Sequence, residues 1–373
     1  MKYVGPLIDS HIHIRGGFED LDAFISGMEQ LRIQSGADAV LIAAVPLWDA
    51  ECIGQNIISM LQKTAYPAAT YVFAGFDYHL PPGVRPADFA TQARELLAMG
   101  ADGLKMLEGK PNIRKQLGNL PLNSPLFDDF YGFMEREQKP LLLHAADPAS
   151  FWDDRTLPDF ARNSGWSYAD GTFAAKEQIH AETEAVLERF PGLKVSLAHF
   201  YFISDDLERT ARLLERFPNV SLDITPGTEM FADFSARRNE WRDFFTHYSR
   251  RILFGTDNGW GTWTAMADKI IRAADFVSSI RRFLETADTF AAFTGFNLPV
   301  TGLDLDPDTL ADIYYRNFIR FASETPRPPD TTRLIAYTEK MIAIFRGIHQ
   351  PAYDLALPQM EACLQRLLQQ QLN

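Results

Sequence analysis

Two histidines, His11 and His13, stand two residues apart in the run Leu-Ile-Asp-Ser-His-Ile-His-Ile. On a β-strand, side chains at i and i+2 leave the same face, so both imidazoles converge on one point. Imidazole is a common metal ligand, although so short a motif also recurs by chance. Three more polar residues each follow directly on an apolar run: His144 in PLLLHAAD, His199 in VSLAHF and Asp257 in ILFGTD. A single histidine in such a place is more often a hydrogen-bonded structural residue. Four of the eight histidines, with an aspartate in the same kind of position, point instead to a shared cation, because buried polar side chains need partners.

Something must bring these positions to one place. Short apolar runs recur at residues 7–13, 39–45, 71–76, 103–107, 141–144, 194–199, 220–224 and 252–255, and helical patterns separate them. Most starts are roughly 25–40 residues apart, the length of a strand, a loop and a helix. The gap between the fifth and sixth runs is longer, which marks an insertion. Helices are expected at 87–99, ending at Gly100, and at 178–190 and 207–217, where Phe-Pro marks each stop. The strand at 40–45 is apolar throughout, as in a parallel sheet covered on both faces. An open doubly wound sheet would ordinarily show a glycine-rich turn after its first strand, and here that strand runs into His-Ile-His. The expected fold is therefore α/β, a (β/α)8 TIM barrel with additional C-terminal helices. All five polar residues then lie at the C-terminal ends of strands, where barrel active sites form. The tail from about residue 265 reads as helical, with the eighth barrel helix at 308–323. Residues 1–325 form the expected catalytic barrel. Residues 326–373 form a helical extension, with helices at 331–345 and 358–371, packed on the barrel or at a subunit interface.

The phrases IDSHIHI, GADGLKM, LLLHAAD, LAHF and LFGTDN resemble the amidohydrolase superfamily, in its amidohydrolase 2 branch of metal-dependent hydrolases and decarboxylases. The resemblance runs from about residue 7 to 323. It implies that His11, His13, His144 and Asp257 ligate a divalent ion, Zn²⁺ ahead of Mn²⁺. Asp257 would also be the proton acceptor for a water whose pKa a zinc ion lowers to about 7. His199 would orient or polarise the substrate, or bind a second metal. Lys105, on the fourth strand, is expected as an unmodified ammonium paired with Glu108 or Asp257, the alternative being a carboxylated bridge between two ions.

The leading reading is hydrolysis of a lactone, ester or amide bond in a small polar substrate. The alternative is a non-oxidative decarboxylase of a small carboxylic acid. Decarboxylases of the branch commonly carry glycines after the sixth-strand histidine, whereas Phe200, Tyr201 and Phe202 follow here, which disfavours that alternative. A binding protein without catalysis is a third reading, disfavoured because no ligand position is missing. The long loop from Ala145 supplies Trp152 and Arg155 as candidate substrate contacts, and Glu108 and Trp260 are two more. Lys110, Arg114 and Lys115 read as a solvated basic loop, and His180 as a surface residue.

A net charge of −13 excludes nucleic acid and anionic membrane surfaces as expected partners and leaves a small-molecule substrate. The N-terminal residues show no signal-peptide pattern, and residues 40–45 are too few to span a bilayer. Cys52 and Cys363 form no metal-type spacing, so a cytoplasmic, reducing setting is expected. The extra C-terminal helices suggest a homo-oligomer.

Overall fold

In the computed structural model, residues 2–14, 18–46, 52–78, 88–227, 229–259 and 265–372 are described. Eight parallel strands follow the eight apolar runs: β1 Ile8–Ile12, β2 Ala39–Ala43, β3 Thr70–Gly75, β4 Gly103–Gly109, β5 Leu141–Ala145, β6 Val195–Leu197, β7 Val220–Asp223 and β8 Ile252–Leu253. Each pairs with the next in sequence order. The chain just after β8 closes the ring on β1. Ser10 N donates to Phe254 O at 2.9 Å, Asp257 N to His11 O at 2.8 Å and His13 N to Asn258 O at 2.7 Å. The metal-type residues of β1 and of the β8 end are thus locked to each other through the backbone. Every barrel strand is buried along its length apart from Ser221, which is partly buried, as a sheet wrapped in helices requires. The architecture is a TIM barrel.

The helix expected at 87–99 runs Phe89–Ala98, with Asp88 accepting from Thr91 N as its cap. The next two expected helices are Lys176–Arg189 and Leu207–Arg216, and each stops one residue before Phe-Pro. The barrel is plugged from within by Ile8, Leu41, Phe73, Leu142 and Leu253, packed with Phe318 and Phe321. Those two aromatics come from the segment expected as one helix at 308–323. It is continuous but passes through a wider turn, as Pro307–Ala311, Asp312–Arg316 and Asn317–Phe321.

Two departures lie in the tail. After the helix Met266–Glu285 the chain forms an antiparallel hairpin, β9 Thr289–Ala292 and β10 Leu298–Thr301, where helix was expected. Its turn carries three residues at positive φ, Phe293 at 58°, Gly295 at 96° and Asn297 at 50°, of which glycine adopts it without strain. The last helix runs Pro351–Leu372 and does not begin at residue 358. Proline inside a helix costs roughly 3 kcal/mol. Here Tyr353, Ala356, Met360, Cys363 and Leu367 are buried at steps of three and four across Pro358, and that burial outweighs the lost bond. This helix packs on Thr331–Arg346, and both contact Gln55–Ala65 on the barrel wall. Asn56 Nδ2 donates to Tyr337 Oη at 3.2 Å, and Arg327 N donates to Asp102 Oδ1 at 2.7 Å. Among the described residues no helix is long and apolar enough to cross a membrane.

Gly259 holds the β8 end against β1. Its φ is 82°, and a Cβ there would sit 1.7 Å from the His13 carbonyl oxygen. We expect Gly259→Ala to destabilise the fold by about 3 kcal/mol, from left-handed strain plus displacement of His13. Thermal denaturation checks this, and an unchanged Tm would refute the close approach.

Candidate active site

β1 presents His11 and His13, and each ring is fixed by a bond through Nδ1. His11 Nδ1 donates to Asp223 Oδ2 at 2.9 Å, and His13 Nδ1 donates to the Ala43 carbonyl at 2.6 Å. A proton held on Nδ1 leaves a lone pair on Nε2. His11 Nε2 faces the Lys105 ammonium at 3.3 Å. His13 Nε2 faces Asp257 Oδ1 at 3.1 Å. Two acceptors at that distance repel unless a proton or a metal ion lies between them. His11, His13 and Asp257 each offer a ligand atom within 4.8 Å of the others. Two nitrogens and a carboxylate oxygen, with both imidazoles oriented from behind, fit a divalent cation.

Asp257 has φ 58°, a left-handed conformation rare for a residue with a side chain. Burial works against its charge, but the His13 bond and the surrounding histidines win, and the carboxyl stays well below the usual carboxylate range. Its side chain keeps 29% of its surface open, so it can reach a ligand. Asp9, two residues before His11, is buried and accepts from Thr256 N at 3.1 Å and Thr256 Oγ1 at 2.5 Å. Burial pushes its carboxyl up to about 7. It ties β1 to the β8 end.

His199 opens a turn in which four consecutive non-glycine residues, His199, Phe200, Tyr201 and Phe202, have φ between 54° and 59°. Such strain persists only where surroundings over-determine it. Here Asp223 Oδ1 accepts from His199 N at 2.8 Å, Lys176 Nζ donates to Phe202 O at 2.6 Å, and Tyr201 Oη donates to His180 O at 3.2 Å. His199 Nδ1 donates to Thr225 O at 3.3 Å, which leaves its Nε2 a lone pair. Burial, then the neighbouring His144, pushes the His199 imidazole down to about 4.

His144 ends β5 with its ring centre 4.9 Å from that of His199, but outside the three-residue group. Its Nε2 donates to Asp147 Oδ1 at 3.1 Å, so its lone pair is on Nδ1. Burial lowers its pKa to about 4, with the Asp147 bond opposing. Asp147 is gripped by Lys110 Nζ, 2.7 Å from both oxygens, and by Tyr168 Oη at 2.6 Å.

Lys105 is buried, and burial pushes it down to about 8 against the pull of Asp223 and Asp257. Among the described residues it forms no close ion pair with Glu108 or Asp257, the partners expected from sequence, and lies instead against His11. Glu108 is buried and takes a bond from Tyr78. Trp152 is half-buried, its Nε1 donating to Ala174 O at 3.1 Å. Arg155 is 88% exposed and paired with Asp153 at 2.5 Å. None of these three lines the cavity over the histidines, and Trp260 lies outside the described residues. Two of the three basic-loop residues are not solvated: Lys110 pairs with Asp147, and buried Arg114 binds Glu182, with Nη2 and Oε1 2.9 Å apart, whereas Lys115 is exposed as expected. His180 is buried, not on the surface.

The cavity measures about 450 Å³. Its floor holds His11, His13, Lys105, His144, His199 and Asp257. Asp223, Asp147 and Arg272 were not singled out from sequence. The first two are polar residues at or just past strand ends, the same signal that marked the histidines. Arg272 is on a helix, and sequence alone carries no sign that it faces the cavity.

No curated protein matches the sequence. A solved structure of an uncharacterized TIM-barrel protein from Bordetella bronchiseptica superposes with a TM-score of 0.51 at 14% identity, covering 85% of this chain and 98% of that one. A 5-carboxyvanillate decarboxylase from Sphingomonas paucimobilis gives 0.49 at 16% identity, over 85% and 99%. A 4-oxalomesaconate hydratase from Rhodopseudomonas palustris gives 0.49 at 14% identity, over 89% and 98%. The first likeness supports the barrel architecture. The sequence model of the amidohydrolase family Amidohydro_2 matches residues 8–321, from β1 to the last turn of the helix that plugs the barrel, and the chain belongs to that family.

Proposed function

We propose that the chain is a metal-dependent hydrolase that cleaves a lactone, ester or amide bond. One observation carries this reading: the His13 lone pair and the ionised Asp257 carboxylate lie 3.1 Å apart, open to the cavity. His11, His13 and Asp257 would hold the ion, with His144 Nδ1 or His199 Nε2 as a further donor. Zn²⁺ suits this nitrogen and oxygen set, with Mn²⁺ the alternative. Such an ion supplies Lewis acidity and water activation at neutral pH.

The protein groups do the rest. Asp257 accepts a proton from the attacking water and returns it to the leaving atom. The carboxyl is ionised at neutral pH, as a proton acceptor must be. Lys105, on the cavity floor, places a positive charge beside the oxygen on which negative charge develops. Phe202, stacked on His199 with ring centres 5.1 Å apart, helps exclude bulk water. The same aromatic run fills the place of the glycines expected of a decarboxylase. Buried free Cys52 and Cys363 agree with a reducing, cytoplasmic setting.

The test is metal content by plasma mass spectrometry, followed by turnover on lactones, esters, amides and a panel of aromatic carboxylates. We expect about one ion per chain, and acid release from a member of the first group. Carbon dioxide as sole product would establish the decarboxylase reading instead.

A further inference from the structure

The cavity has a polar floor and an apolar outer half. Phe160 and Trp166 come from the insertion after β5, Phe276 from the helix Met266–Glu285, and Phe293 and Phe296 from the hairpin β9–β10. The insertion meets the hairpin through Phe160 and Phe296, whose rings stand edge to face at 6.1 Å. Phe296 remains 54% exposed. A large apolar side chain left open on a cavity lining suits an apolar ligand body passing over it.

Two cations stand beside this apolar half: Lys110, which lies over the Trp166 ring at 4.3 Å and is held by Asp147, and Arg272. Arg272 lines the cavity, its guanidinium lying over the Phe276 ring at 4.9 Å. Further along the same helix, Arg281 is paired with Glu285 and Arg282 with Asp288. Among the described residues Arg272 has no such acid. Asp275, one turn on, directs its oxygens to Thr294 N at 2.8 Å and Thr294 Oγ1 at 2.9 Å. An arginine lying over an aromatic ring, lining a cavity and without a paired carboxylate, is arranged to take one from a ligand. In a chain of net charge −13 an anion needs such a local cation.

We propose that the substrate is amphipathic, with the reacting bond at the histidine floor, an aromatic or aliphatic body between the phenylalanines, and a carboxylate at its far end bound by Arg272. This rests on reading the cavity as the active site and replaces a small polar substrate with a longer one. It makes Arg272 a specificity residue supplied from outside the eight-stranded barrel.

The test uses calorimetric titration of the full chain with 4-phenylbutyrate and with 4-phenylbutan-1-ol, on wild type, Arg272→Met and Arg272→Glu. Metal content is measured on the same samples. Any carboxylate binding to the floor is common to all three proteins and cancels in the comparison. We expect wild type to prefer the acid by about tenfold, Arg272→Met to remove that preference with alcohol affinity unchanged, and Arg272→Glu to reverse it. An equal preference in wild type and Arg272→Met overturns the proposal, even with metal bound and hydrolysis observed. A preference that depends on Arg272 in a protein holding no metal would support the proposal and overturn the hydrolase reading.

Discussion

Asp257→Asn is expected to lower kcat/KM by roughly 10³-fold, the range assigned to loss of a general acid–base residue, while leaving the fold intact. The two side chains are nearly the same size, and the backbone bond from Asp257 N to His11 O does not involve the carboxyl. The chemistry changes at one point. His13 Nδ1 donates to Ala43, so Nε2 carries a lone pair toward residue 257. An aspartate there needs a cation between itself and that lone pair. An asparagine can turn its NH₂ to the lone pair and satisfy it without one. The variant therefore loses the proton acceptor and weakens metal binding together. Metal content, turnover with added Zn²⁺ and circular dichroism separate the two losses. Metal restored by excess zinc, with turnover still absent, isolates proton transfer. Wild-type turnover in the variant would remove Asp257 from the mechanism.

The barrel was legible because its strands are short, apolar and separated by helices with clear stops. The candidate ligands were legible because a polar residue at the end of a buried run is costly unless it has a partner. By that rule Asp223, which ends Val-Ser-Leu-Asp, was equally visible, and so was Asp147, three residues after His144. Asp223 serves His11 and His199 from another strand, and pairing across strands is not written in one segment; Asp147 serves His144 from three residues on, within the same segment. The insertion after β5 does reach the cavity, through aromatics such as Phe151 and not through Trp152 or Arg155. Arg155 sits in Asp-Asp-Arg and closes locally on Asp153, two residues away, before it can reach the cavity. Trp166 of the same insertion does line it. Arg272 depends on the rotation of one helix and on a hairpin that alternation over two four-residue strands was too short to announce. Proline favours the first turn of a helix, so the sequence places the start of the C-terminal helix at Pro358, whereas the buried stripe continues through it.

Asp223 is the residue on which the site's geometry depends most, and its two substitutions should fail differently. It is fully buried and satisfies three donors: His11 Nδ1 at 2.9 Å, His199 N at 2.8 Å and Thr225 N at 3.1 Å. Asp223→Ala strands the two backbone donors and leaves His11 Nδ1 only Thr225 Oγ1, 3.2 Å away; at about 1–3 kcal/mol for each buried donor left unsatisfied, a loss on the order of 3 kcal/mol or more is expected. It also frees the strained turn that begins at His199. Asp223→Asn keeps an oxygen for the two backbone donors and should cost far less stability. Its NH₂ then faces His11 Nδ1, and two donors cannot face each other. His11 must move its proton to Nε2, the nitrogen that faces Lys105 and the metal position. That nitrogen can no longer ligate. The asparagine variant should therefore fold with a Tm close to wild type yet bind metal 10–100-fold more weakly, the range found when the partners that orient ligating histidines are removed. Titration with a competing chelator measures the affinity, and ¹⁵N chemical shifts of the imidazoles report which nitrogen of His11 is protonated. Tight metal binding with the proton still on Nδ1 would show that Asp223 does not set the tautomer. A folded variant with weak binding and the proton on Nε2 would show that a carboxylate on β7 decides whether a histidine on β1 can hold metal.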